Sequence, residues 1–434
     1  MMCDIEKLYR LLQQEKHVFT DSRAAGNGGI FFALRGDNFD GNKFALKAIA
    51  DGAAYAVVDD KNLPENNRLL LVENTLHTLQ KLANHHRRQL NIPIIAITGT
   101  NGKTTTKELV QAVLSKKYRV YATIGNYNNH IGVPLTMLSV TKEHEMAIVE
   151  MGANHPGEIA DLCSIAEPNY GLISNVGKAH LEGFGSFNGV KKTKAELYQF
   201  IATNGQGIFI NIDNHHLVEM AINNPFKYTY GQTPSTAELK GEVVGNGLKV
   251  TVKALFPKGW LYLKSNLTGT YNFENIMAAA RIGLFFDVDP LLIAEAIESY
   301  KPNNNRSQLM SKSGADWLVD CYNANPTSME ASVKNFIALP KKNKVMILGD
   351  MLELGGSSLI EHQKIIDMVA QSNDIDEIYV VGEFFSKTNA PSTIQKFISI
   401  DALLQKLSGH NWSGAFVFLK GSRGIKLEKI LEKL

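Results

Sequence analysis

Cysteine is nearly absent from this chain: Cys3, Cys163 and Cys321 stand far apart and show no paired spacing. That excludes a disulfide framework and a cysteine-based zinc site, and it points to reduced thiols in a cytoplasmic protein. Long apolar runs are missing too. No stretch approaches the roughly 18 apolar residues of a membrane span. The N-terminal Met1-Met2-Cys3-Asp4-Ile5-Glu6-Lys7 carries acids where a signal peptide needs an apolar core. Neither charge is in marked excess, since 45 basic and 43 acidic residues leave a formal +2. Such a balance implies no nucleic-acid partner. Low-complexity tracts and short repeats are also lacking. What is there is a 434-residue chain, 44% hydrophobic, long enough for about two or three domains.

Its organisation is α/β. Short apolar runs at Ile30–Leu34, Ala53–Val58 and Leu69–Val72 precede a helix expected from Thr75 to about Leu90, which ends at Asn91-Ile92-Pro93. A strand-turn-helix rhythm then begins. Ile94-Ile95-Ala96-Ile97 is wholly apolar, as a strand covered on both faces must be. Met146–Val149, Tyr170–Ser174 and Gly207–Ile210 read alike. Residues 225–270 alternate apolar and polar positions and predict antiparallel strands, closed by a helix around Ile276–Ile282. A polar linker at Lys301-Pro302-Asn303-Asn304-Asn305 precedes strands at Trp317–Asp320, Val345–Leu348, Ile378–Val381 and Ala415–Leu419. The expected domains are 1–91, 92–302 with a mostly parallel sheet, and a Rossmann-like 303–434. In open sheets of this kind ligands bind beyond the carboxyl ends of the strands.

The strand ending at Ile97 leads into Thr98-Gly99-Thr100-Asn101-Gly102-Lys103-Thr104-Thr105-Thr106 and then a helix. Glycines let successive N–H groups turn toward phosphate oxygens, and the helix N-terminus adds partial positive charge. Gly99, Thr100, Asn101, Gly102 and Thr105 therefore form a candidate phosphate cradle. Lys103 would reach the β- and γ-phosphates, and the Thr104 hydroxyl would ligate Mg2+. Ile97 stands where the common phosphate-loop pattern has its first glycine. Glu150 ends another apolar strand, where a carboxylate can hold Mg2+ near the loop. After the C-terminal strands, Asp320 is placed to hold a ribose hydroxyl, and Asn323 and Asn325 to bind a peptide's carboxylate and amine.

The variant loop Thr-Gly-Thr-Asn-Gly-Lys-Thr-Thr-Thr resembles that of the Mur ligases and their relatives, the folylpolyglutamate and cyanophycin synthetases. The resemblance continues through Asp320-Cys321-Tyr322-Asn323-Ala324-Asn325-Pro326, Gly349-Asp350-Met351-Leu352-Glu353-Leu354-Gly355 with His362, and Lys420-Gly421-Ser422-Arg423-Gly424. These three stretches are similar to the branch that adds D-alanyl-D-alanine to a UDP-muramoyl-tripeptide. The resemblance implies an N-terminal UDP-binding domain, a central ATPase-like domain and an ATP-dependent ligase that works through an acyl phosphate. The substrates it implies are small molecules only, and a monomer is expected.

By the same resemblance, Glu150 and His180 serve Mg2+, two ions being expected, and Lys194 carries a carbamate that approaches the metal as an anion. Asn272 and Asn275, in Gly269-Thr270-Tyr271-Asn272-Phe273-Glu274-Asn275, would meet adenine and ribose, with Tyr271 in place of the family's usual His. Arg306 would lie near the phosphates, without the glycine that normally precedes it. Ser22 and Arg23 would bind the uridine diphosphate, and Asn128 and Asn129 belong to a substrate-side loop. Asn42 replaces a usual His in the N-terminal region. The diaminopimelate- or lysine-adding and folylpolyglutamate enzymes are the alternatives within the superfamily; the Asn-Ala-Asn-Pro and Gly-Asp-Met-Leu-Glu-Leu stretches argue against them. A phosphate-loop motor ATPase would need no carbamate lysine.

Overall fold

The computed structural model describes residues 2–15, 17–245, 247–303 and 305–434. Met1, Lys16, Asn246 and Asn304 lie outside them, Asn304 being part of the linker expected at 301–305. The architecture is α/β, built on three main sheets. Among the described residues no helix is long and apolar enough to cross a membrane.

The N-terminal sheet is parallel and four-stranded, in the order Val18–Phe19, Ile30–Phe32, Tyr55–Val58, Leu69–Leu71. The helix Thr75–Gln89 comes next, capped by the Asn74 side chain, which accepts from the His77 N–H. Such a cap satisfies one of the orphan donors at the helix start. Leu79, Leu82 and Ala83 of this helix join Ile30 and Phe32 to Ile94, Val133 and Leu162 in one buried cluster. One helix thus ties the first sheet to the second.

The central sheet has nine strands, ordered Gly259–Thr268, Lys249–Phe256, Leu239–Val244, Lys227–Gln232, Gly207–Asn211, Tyr170–Ile173, Ile94–Thr98, Met146–Glu150 and Val120–Ala122. Its middle strands are buried along their whole length, which explains their unbroken apolar sequences. Only the last two pairings of the 225–270 region are antiparallel, those of Lys249–Phe256 with its two neighbours. Lys227–Gln232 and Leu239–Val244 run parallel to each other and to Gly207–Asn211, which corrects the all-antiparallel expectation. Alternating burial signals one covered face; it does not report strand direction.

The third sheet is ordered Gln308–Lys312, Ala315–Asp320, Phe416–Lys420, Lys344–Gly349, Glu377–Val381, Ile394–Phe397, and only its first strand is antiparallel. Separate apolar clusters cover its two faces. Gln308–Lys312 was not legible as a strand, because its polar ends mask a half-buried edge. The segment Gly349–Gly355 with His362 forms a knot of structure here. His362 is fully buried; its Nε2 accepts from the Met351 N–H at 3.0 Å and its Nδ1 donates to the Ser358 carbonyl at 2.6 Å. Asp350 accepts from the Phe384 and Phe385 N–H groups, at 2.9 Å each.

Candidate active site

The phosphate loop joins Ile94–Thr98 to the helix Lys103–Leu114. Gly99 and Gly102 have φ of +143° and +77°, a region that L side chains rarely enter. A Cβ on Gly102 would fall 2.5 Å from Asn275 Oδ1. Asn275 is locked there: its Oδ1 accepts from the Thr106 hydroxyl at 2.9 Å and its Nδ2 donates to Asn272 Oδ1 at 2.8 Å. Asn272 in turn donates to the Thr268 carbonyl at 2.7 Å. The two asparagines therefore brace the loop from behind while lining the cleft. Lys103 folds back on its own turn, Nζ donating to the carbonyls of Gly99 at 2.8 Å and Thr100 at 3.1 Å. Burial pushes its pKa down to about 8, with Glu150 opposing the fall and Arg306 deepening it. An anion arriving at the loop would oppose that fall.

The neighbouring strand brings Glu150 beside Ile97 in register. Its carboxylate is 1% exposed; Oε1 accepts from Asn128 Nδ2 at 2.8 Å, and Oε2 has no partner. A buried carboxylate oxygen without a partner is costly unless a cation or donor completes it. Asn128 thus orients Glu150, whereas Asn129 accepts from Ile131 and Gly132 N–H and shapes the turn. Of the three lysines in 191–194, Lys191 pairs with Glu219 at 2.7 Å and Lys192 is exposed. Lys194 is 3% exposed, lines the cleft and lies over the Phe184 ring at 5.7 Å. Burial lowers its pKa to about 7, and Lys103 contributes to the shift.

The third sheet faces the same cleft with its carboxyl ends. Asp320 accepts from Lys420 Nζ at 2.5 Å, from the Ser307 N–H at 3.4 Å and from the Ser332 hydroxyl at 3.3 Å. Arg306 stacks on Tyr322, 3.7 Å from its ring centroid, and its buried Nε is unpartnered. Contacts between the two sheets' loops close the cleft. Asn325 donates to Asn101 at 2.7 Å, the Lys178 N–H donates to Thr327 at 3.0 Å, and Lys178 pairs with Glu361 at 3.2 Å. His180, itself at φ +47°, donates through Nδ1 to Glu353, holding that carboxyl below the usual range. The cleft so enclosed measures about 840 Å³, within the size of small-molecule sites.

Family models match the chain in three blocks: "Mur ligase family, catalytic domain" at residues 16–87, "Mur ligase middle domain" at 97–283 and "Mur ligase, glutamate ligase domain" at 305–423. The chain belongs to the Mur ligase family. This Mur ligase is 34% identical to the UDP-N-acetylmuramoyl-tripeptide–D-alanyl-D-alanine ligase of Bacillus subtilis, over 96% of its own length and 92% of that protein. Its fold matches a crystal structure of MurF from Acinetobacter baumannii with a TM-score of 0.86 at 30% identity, covering 97% and 93% of the two chains. It also matches MurF of Thermotoga maritima in complex with ADP, with a TM-score of 0.84 at 27% identity and 96% of each chain covered.

Within this Mur ligase, the cleft collects the loop residues 99–103 and Thr105, with Asn128, Asn129, Glu150, His180, Lys194, Asn272, Asn275, Arg306, Asp320, Asn323 and Asn325. Thr104 lies in the same first helical turn, 5% exposed. Ser22 and Arg23 are not brought there. They open a short 3-10 turn of the N-terminal unit, where Arg23 pairs with Asp21 at 2.6 Å in solvent. Asn42 is spent on structure, bonding Asp40 and Asp59. Asp320 and Asn325 likewise have protein partners; Asn323 turns its Oδ1 to the Ala324 N–H. Among the described residues no three His, Cys, Asp or Glu side chains converge as a metal site. Lys420 and Glu274 line the cleft without having been singled out. The signal for Lys420 was its place at the end of an apolar strand; for Glu274 it was its place between Asn272 and Asn275.

Proposed function

We propose that this chain joins D-alanyl-D-alanine to UDP-N-acetylmuramoyl-tripeptide at the expense of ATP, in the cytoplasm, yielding the UDP-muramoyl-pentapeptide. The chain would divide into 1–91, 92–302 and 303–434, handling the UDP end, ATP and the dipeptide respectively. One observation carries this reading: the glycine-bearing loop residues 99–103 with Thr105, and the unpartnered Glu150 oxygen, share a cleft with Asn323 and Asn325 of the third sheet. The name of the Bacillus subtilis relative and the ADP bound to the Thermotoga maritima protein support it.

In the first step the tripeptide's terminal carboxylate attacks the γ-phosphorus, the bond to the β–γ bridging oxygen breaks, and ADP leaves. The amine of D-alanyl-D-alanine then attacks the acyl-phosphate carbon. The tetrahedral intermediate expels phosphate, and the nitrogen loses a proton to leave the amide. Lys103 exchanges its backbone carbonyls for phosphate oxygens, and the loop N–H groups and Arg306 add charge compensation that is already in place. Asn272 and Asn275 position the loop and the nucleoside; Asp320 does the same for the ribose through its fixed carboxylate.

The oxygen donors Thr104 and Glu150 suit Mg2+, which prefers one or two protein ligands with phosphates and water completing the shell; when bound, the ion neutralises developing phosphate charge. For a second ion the residues at hand are His180 and Lys194. Among the described residues no cluster of three acidic or imidazole ligands serves it, so an anionic Lys194 carbamate would supply what is missing. The Lys194 amine suits carbamate formation, because with its pKa near 7 a large neutral fraction is present to add CO2. Ser22 and Arg23 would receive the uridine diphosphate once Arg23 exchanges Asp21 for it.

The test is phosphate release from ATP with UDP-muramoyl-tripeptide, with and without D-alanyl-D-alanine. Release that depends on both, with pentapeptide formed, is expected. Equal release without the dipeptide would overturn the coupling.

A further inference from the structure

Glu274 sits in the first turn of the helix Asn272–Phe285, between the asparagines that brace the phosphate loop, and its side chain lines the cleft. The sheet order decides which part of a nucleotide it meets. Met146–Glu150 adjoins one side of the loop-bearing strand, while Tyr170–Ile173 and then Gly207–Asn211 adjoin the other. Glu150 therefore marks one flank of the loop. Asn175, Asn211 and Glu274 mark the opposite flank, and Asn175 Oδ1 accepts from the Asn101 N–H at 3.0 Å. A triphosphate held at 99–105 with its reacting end toward Glu150 must direct its nucleoside toward Glu274.

We propose that Glu274 reads the purine edge of the nucleotide, donating its carboxylic proton to a ring nitrogen of adenine while its carbonyl oxygen accepts from the exocyclic amine. The inference rests on the ATP-ligase function proposed above and adds a base-specificity residue to it. Burial pushes the Glu274 carboxyl up to about 7, Asp213 adds to the rise, and the amides of Asn175 and Asn211 oppose it. The titratable groups that face it are Asp213, just after Gly207–Asn211, and Tyr230 of Lys227–Gln232. Neither is a cation, so only the Asn175 and Asn211 amides favour the carboxylate, and burial outweighs them. A neutral acid offers a donor and an acceptor side by side, which matches adenine's paired ring nitrogen and amine. The ionised form offers acceptors only; it opposes adenine's ring nitrogen and suits the adjacent N–H donors of guanine.

The deciding measurement is KM for ATP and for GTP in the complete ligase reaction, between about pH 6 and about pH 9, on wild type, Glu274→Gln and Glu274→Leu. The wild-type KM for ATP is expected to rise at least about tenfold across that range, and the preference for ATP over GTP to fall with it. Glu274→Gln, with a permanent donor and acceptor, should hold the preference for ATP over GTP constant within about threefold, since the loss of Lys103 charge above about pH 8 raises KM for both nucleotides alike. Glu274→Leu should raise it about tenfold at the acid end, the scale set by one unmatched polar pair, without moving KM for the UDP-peptide. The proposal is overturned if the leucine variant keeps the wild-type KM and nucleotide preference, or if the preference of the glutamine variant for ATP over GTP keeps the wild-type pH response. Should the leucine variant not fold, the glutamine profile decides alone. If wild type forms no pentapeptide from ATP at any pH, it is the ligase function that fails.

Discussion

Asn325 donates its side-chain N–H to Asn101 Oδ1 at 2.7 Å, so the cap of a helix on the third sheet touches the phosphate loop of the second. The same residue caps Pro326–Ala338 through its Oδ1, which accepts from the Ser328 N–H at 2.9 Å. One amide serves both tasks, and substitution separates them. Aspartate caps as well as asparagine but has no N–H for Asn101. Asn325→Asp should keep the wild-type melting temperature and lose at least about tenfold in kcat. Asn325→Ala should lose kcat and also about 1 kcal/mol of stability. Thermal melts beside steady-state rates check both; an aspartate variant with full kcat would show that the latch is idle.

Lys194→Ala should reduce turnover at least about a hundredfold, because both the buried amine and any carbamate built on it disappear. Small carboxylates such as acetate or formate, fitting the vacated space, should restore part of the rate, as expected of an anion serving a metal. Wild-type rates in the alanine variant would exclude the assignment.

Gly102→Ala places a Cβ 2.5 Å from the locked Asn275 amide at φ +77°. The left-handed backbone alone costs about 1–2 kcal/mol for an L residue. Denaturant unfolding should register that loss, and KM for ATP should rise at least about tenfold as the cradle deforms. Gly26→Ala meets no atom within 4 Å, and stability within about 0.5 kcal/mol of wild type is expected of this control.

His362 gives the third sheet a pH limit. Burial lowers its pKa below the ordinary 6.5, since protonation would force a proton onto the nitrogen that accepts from Met351. The unfolded chain then binds more protons than the folded one just below 6.5, so stability is full above that value and falls as the pH drops beneath it. Asp350, whose pKa burial raises, acts in the opposite sense at more acidic pH. Melting temperatures between about pH 5 and about pH 7.5 should show the decline, and His362→Gln should flatten it. A wild-type curve that is level across this window would count against a neutral His362.

Much of the site was legible because its encoding is local. Glycines at 99 and 102, a lysine and a hydroxyl at the helix start, and a fully apolar strand before them define a phosphate cradle within about ten residues of sequence. Glu150 stands out by its place at a strand end. The register choice among Lys191, Lys192 and Lys194 came from resemblance; folding turns Lys194 inward, where the helix Phe187–Asn204 packs against the sheet. Strand direction in 227–244 was not legible for the opposite reason, since burial alternates alike in parallel and antiparallel edge regions.

By itself the sequence determined the local elements: which strands are buried on both faces, that a helix begins at Thr75, and which turn carries the glycines, lysine and hydroxyls of a candidate phosphate cradle. Tertiary structure alone decided which side chains remain free for chemistry. Asn272 and Asn275 brace Gly102 and Thr106 while still lining the cleft, Asn42 is spent on Asp40 and Asp59, and His180 meets Glu353, while a Glu150 oxygen is left without a partner. Most of these pairings join residues tens to hundreds of positions apart. Periodicity and turn chemistry act over a few residues, so they report what a segment becomes and say nothing of what it will touch.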